Sequence, residues 1–173
     1  MAKLVSEDLE LEFIFIGCYD FDPVEYEFKV TLKWKNLPIL NEKAMKRETD
    51  YWEKGKEGGI IAEETDNFTL ISDLENAIET KSPQIWEAWP DPDMCISIYP
   101  ERCFPYLNEV NSEYYTIIIS PDAYQFKDCD AYCGYEGVSF IMTPKVNDFK
   151  KLIDDLKFEF NEVKKGRNLS VIR

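Results

Sequence analysis

Three aspartate pairs stand at alternate positions along the chain: Asp20/Asp22, Asp91/Asp93 and Asp128/Asp130. Alternate side chains on extended backbone point the same way, so each pair offers two carboxylates to a hard cation such as Ca²⁺ or Mg²⁺. Each pair also adjoins proline or other turn residues, where aspartate ordinarily bonds its own backbone. None opens an EF-hand loop, with its central glycine and closing glutamate. Turn chemistry is the simpler account, so neither a metal nor a cofactor is expected. The alternative is a metal-dependent hydrolase or carbohydrate-active domain that uses these carboxylates.

Histidine is absent from the chain. That removes a Ser-His-Asp triad, a Cys-His pair and every histidine-ligated zinc site. Of Cys95, Cys103, Cys129 and Cys133, only the last two have the spacing of a zinc-ligand pair. Asp128 and Asp130 flank Cys129, and like-charge repulsion from them is expected to raise its thiol pKa and disfavour a reactive thiolate. No phosphate-cradling loop occurs, because Gly55, Gly58 and Gly59 are not followed by Lys-Ser/Thr and a helix. The toolkit for bond-making is thin, and a non-catalytic role is favoured.

Charge carries more information. The 173 residues include 34 acidic and 20 basic ones, a net charge of −14. A field of that sign repels nucleic acid and anionic membranes, and it steers basic proteins inward. The excess is regional: between Ser82 and Ser139 ten acidic residues face two basic ones, Arg102 and Lys127. The same span is rich in Trp and Tyr, whose apolar bodies and polar tips suit protein interfaces and cores alike. The candidate partner-binding residues are Trp86, Trp89, Asp91, Asp93, Glu101, Asp128, Asp130 and Tyr132. The partner they imply is a basic protein. An acidic DNA mimic is a further alternative, disfavoured by the mixed charge of the N-terminal half.

These residues need a scaffold, and the pattern supplies one. Leu9–Ile16 alternates and then turns wholly apolar, a strand expected to be covered on both faces in its second half. Tyr26, Phe28, Val30, Leu32 and Trp34 alternate with charged or hydroxyl residues, an antiparallel strand with one wet face. Together they predict a hairpin. Residues 41–59 mix charges around Tyr51 and Trp52, and read as a mobile loop or short surface helix. Ile60–Ala62 suggests a short strand. A helix capped by Thr65 or Asp66 carries Phe68, Ile71, Leu74 and Ile78 and ends near Pro83.

Met94–Tyr99, Tyr114–Ser120 and Val138–Met142 are further strands. The last leads into a helix predicted to start with Thr143 as N-cap and Pro144 at its first position. Val146, Phe149, Leu152, Ile153, Leu156, Phe160 and Val163 form its apolar stripe, with Gly166 as C-cap. Grouped strands favour one α+β domain over residues 1–173: a mostly antiparallel sheet of roughly five to seven strands against two helices.

This running order resembles that of the WapI-type and related immunity proteins of bacterial toxin systems. It comprises the N-terminal hairpin, the Tyr51-Trp52 segment, the Asp66–Ile78 helix, and the closing strand with Asp148-Phe149-Lys150-Lys151-Leu152 on its helix. The resemblance is one of layout. It implies binding and blocking a cognate toxin, often a basic nuclease, and assigns no functional residue. Five cysteines, an odd number, together with no visible signal peptide or membrane-length apolar run, suggest a cytoplasmic protein with reduced thiols.

Overall fold

The computed structural model describes residues 1–19, 25–40, 60–63, 69–87, 94–100, 113–121 and 139–165. Nine strands and two helices are defined among them: β1 (Ala2–Ser6), β2 (Leu9–Tyr19), β3 (Glu25–Trp34), β4 (Leu37–Leu40), β5 (Ile60–Glu63), α1 (Thr69–Thr80), β6 (Gln84–Glu87), β7 (Met94–Pro100), β8 (Tyr115–Pro121), β9 (Phe140–Met142) and α2 (Val146–Lys164). The class is α+β, as the grouped strands imply. The strands form two antiparallel sheets where the sequence suggested one. β1-β2-β3-β4 runs across the first, with β5 also on β3, and β6-β7-β8-β9 makes the second. Side-chain period fixes which face of a strand is buried, but it does not say which strand lies alongside.

The expected hairpin is present. β2 and β3 pair from Leu9↔Trp34 to Tyr19↔Glu25, with a bulge between Phe15 and Gly17. One correction concerns Ile14, expected to be covered. It faces outward beside Lys29 and is 38% exposed, because the sheet buries only the face carrying Phe13 and Phe15.

Two tight turns share one end of this sheet. Glu7 sits at φ 53°, and Lys35 and Asn36 at 49° and 66°. The positive pair is what a two-residue hairpin needs to match strand twist. The turns are tied together by the Lys35 N–H donating to the Asp8 carbonyl at 2.9 Å.

Both helices close one continuous core. Leu70, Ile71, Leu74 and Ala77 of α1 join Phe149, Leu152, Leu156 and Phe160 of α2 in a single buried cluster with both sheets. Phe28 of the first sheet meets Trp86 of the second at 5.9 Å between ring centroids. α2 crosses β1 and β2, while α1 packs on β6 and β7. The Thr143 N–H also donates to Ser6 Oγ at 3.0 Å, joining the chain's two halves.

The start of α2 is a second correction. Its N-cap is Lys145, in extended conformation and without a side-chain cap, so Thr143 and Pro144 lie before the helix. Their backbone is committed elsewhere. The Pro144 carbonyl accepts from Tyr115 N–H at 3.0 Å, and Val146 N–H donates to the Glu113 carbonyl at 2.9 Å. Proline contributes only an acceptor, and here that acceptor extends the sheet. The sequence reading also lacked β1, β4 and β6, all of five residues or fewer. No helix of the described residues is long and apolar enough to cross a membrane.

Candidate functional site

Of the eight residues singled out in the sequence, Trp86 is the one within the described residues, and it lies in the core, 2% exposed. On β6 the side chains alternate, so Ile85 and Glu87 face outward while the indole packs inward on Phe28. A four-residue strand is too short for its alternation to be read from sequence. Trp89, Asp91, Asp93, Glu101, Asp128, Asp130 and Tyr132 lie outside the described residues, as do all three aspartate pairs, segment 41–59 and Cys103, Cys129 and Cys133. Among the described residues no group of three or more Cys, Asp or Glu is placed to hold a metal ion.

Cys95 of β7 points outward, with Sγ 3.9 Å from Ser97 Oγ. Burial, above all, pushes its thiol pKa up, and the nearby Glu87 charge adds to that. A thiol held protonated is a poor nucleophile.

The outward faces of the two sheets differ in kind. On the first, charges pair across strands. Lys33 Nζ lies 3.0 Å from Glu10 Oε1 and 2.8 Å from Glu12 Oε2, and Lys3 also pairs with Glu10. Lys3 first, and Lys33 with it, holds the Glu10 carboxyl down at about 2. The same carboxylates, Glu12 foremost, raise the pKa of Lys33. This face satisfies its charges internally and projects little field.

The outward face of the second sheet mixes isoleucines with Ser, Cys and one Glu. Its register sets Ile85 beside Ser97, Ser97 beside Ile118 and Ile118 beside Ile141, one row across all four strands. Ile85 is 60% exposed and Ile141 42%. The next row holds Glu87, Cys95 and Ser120, the last sharing a 2.8 Å hydrogen bond with Ser139. Every sheet residue of the apolar core stands on the opposite face. The unbroken runs Ile117-Ile118-Ile119 and Phe140-Ile141-Met142 carried this signal in sequence, since a strand apolar at every position has no wet side.

The segments that connect these strands are acidic in sequence. The strand ends Glu87, Met94, Pro121 and Phe140 lie at one end of the second sheet, by the antiparallel pairing of its neighbours. The two segments joined there, 88–93 and 122–138, contain six acidic residues and one basic one, Lys127.

The described residues thus form an α+β scaffold of two antiparallel sheets and two helices within an acidic chain. A scan against protein-family models finds no match, and searches of curated proteins and of solved structures find none either.

Proposed function

We propose that this chain is a non-catalytic interaction protein that binds and blocks a basic protein partner, in the manner of an immunity protein or antitoxin. What supports the reading is the acidic excess in the sequence of the two segments that connect the strands of the second sheet. Segments 88–93 and 122–138, which continue in sequence from Glu87 and Pro121, carry six acids against one lysine, a combined charge of −5. By comparison, α2 holds five acids and four lysines. At physiological salt, screening acts over ~8 Å, so clustered acids attract a partner where dispersed ones do not. The cytoplasmic setting expected from the sequence belongs to the same proposal.

The test compares two charge-matched variants. One neutralises Asp91, Asp93, Asp128 and Asp130 to Asn. The other neutralises Glu7, Glu79, Asp148 and Asp154 to Gln or Asn. Each variant moves the net charge from −14 to −10, four charges removed. Association with polylysine, followed by stopped-flow fluorescence at low and physiological salt, slows several-fold more in the first variant if the acidic end is the site. Equal slowing in the two would reduce the effect to total charge and overturn the reading.

A further inference from the structure

We infer that Pro38 guards the open edge of the first sheet, keeping β4 from pairing with the β4 of a second copy. Among the described residues β4 is the last strand on its side of the path β1-β2-β3-β4. A strand in that place offers unpaired backbone groups to any extended neighbour, and it pairs most readily when it is apolar and uncharged. Leu37-Pro38-Ile39-Leu40 is both. Leu37 is 65% exposed, Ile39 is also exposed, and Trp34 stands open beside Leu37 across the hairpin. β4 itself has no charge to keep a copy away.

Register decides what the proline does there. Lys35 and Asn36 hold φ 49° and 66°, the paired positive angles of a two-residue hairpin turn. In such a hairpin the residues flanking the turn, here Trp34 and Leu37, form the hydrogen-bonded pair. Bonding alternates along an antiparallel ladder, so the next pair, Lys33↔Pro38, turns its backbone groups away from the partner strand. Pro38 therefore faces the open edge, and proline has no N–H to present there. A bulge follows, because Lys33 pairs with Pro38 while Leu32 pairs with Leu40, which leaves Ile39 as an extra residue. Bulges twist an edge out of pairing geometry, so two devices blunt the same strand. The edges of the second sheet are bounded by proline instead. Pro83 precedes β6, and Pro144 comes two positions after the three-residue β9.

The experiment uses the full chain. Pro38→Thr supplies the missing N–H and leaves the strand uncharged. In sedimentation velocity the wild-type protein should keep one sedimentation coefficient as concentration rises, while Pro38→Thr should move with concentration towards a dimer. Pro38→Thr/Ile39→Lys sets like charges on both copies of the edge and should return to wild-type behaviour. Hydrogen exchange reports the route: the amide introduced at position 38 should exchange about tenfold more slowly in the dimer than in dilute protein. If Pro38→Thr stays monomeric, or dimerises without protecting that amide, the inference falls. A wild-type dimer that Ile39→Lys dissolves would show that the edge pairs with proline in place, and would overturn it too. Thermal midpoints of dilute protein verify folding, and Pro38→Ala restores the same donor should Pro38→Thr unfold. Loss of the fold in both would make Pro38 a structural requirement of the hairpin and overturn its role as a guard.

Discussion

Tyr115 and Phe149 lie nearly parallel, their ring centroids 4.7 Å apart and their planes 18° from one another. Tyr115 opens β8 at the middle of the second sheet, and Phe149 is in the first turn of α2, the helix that covers the first sheet. The stack joins the second sheet to α2. Both rings are almost wholly buried, so Phe149→Ala should cost about 3–4 kcal/mol through lost transfer energy and a cavity. Phe149→Leu, which keeps most of the volume, should cost less than half as much. Chemical denaturation of the two variants checks this. Equal losses would mean the site collapses without regard to ring stacking.

A second expectation concerns acid. The Glu10 carboxyl is lowered from its ordinary 4.5 to about 2, chiefly by Lys3. A depressed carboxylate stabilises the fold fully above its unfolded value, and the contribution is lost as pH falls through the folded one. Stability should therefore drop between about pH 5 and pH 2. Glu10→Gln should flatten that part of the profile by on the order of 1 kcal/mol, an amount already discounted for screening on an open face. Urea midpoints across that range provide the check. A slope unchanged in Glu10→Gln would place the acid sensitivity elsewhere.

Much of this architecture was legible in the residues. The alternation Tyr26–Trp34 specifies a half-buried strand, and the stripe Phe149–Val163 specifies a helix against a core. What the sequence hides is pairing. The row Ile85–Ser97–Ile118–Ile141 exists only because four strands meet in one register, and no periodicity along the chain encodes a neighbour. Short edge strands escape for another reason. β4 and β6 are four residues each, with Pro38 inside the first and Pro83 just before the second, so breaker signals outweigh any alternation. Trp86 looked like an interface aromatic because its type suits an interface and a core equally well. Its placement on the buried side of β6 decides between them.

The Lys35-Asn36 turn offers a gain rather than a loss. Both residues hold left-handed backbone angles that favour glycine. Asn36→Gly should stabilise the protein by a few tenths of a kcal/mol, up to about 1. Lys35 should be left in place, since its ammonium sits 5.2 Å from the centre of the Trp34 ring and 3.4 Å from Asp8. Thermal midpoints report the difference. A decrease in Asn36→Gly would show that the asparagine side chain contributes more than the relief of its backbone.

Glu12 presents the sharpest case of a charge that depends on its neighbours. It is 6% exposed on the outward side of β2, with Lys33 across the strand pair at 2.8 Å. Removing the cation alone, in Lys33→Met, leaves a buried carboxylate without that partner and should cost about 2 kcal/mol. Glu10 suffers less, because Lys3 still pairs with it. Removing both charges, in Glu12→Met/Lys33→Met, replaces the pair with apolar side chains of similar length and should restore most of the loss. The double-mutant cycle thus returns a coupling energy of 1–2 kcal/mol, roughly, that persists in high salt because screening reaches buried pairs weakly. A pair held only by surface attraction would lose its coupling as salt rises.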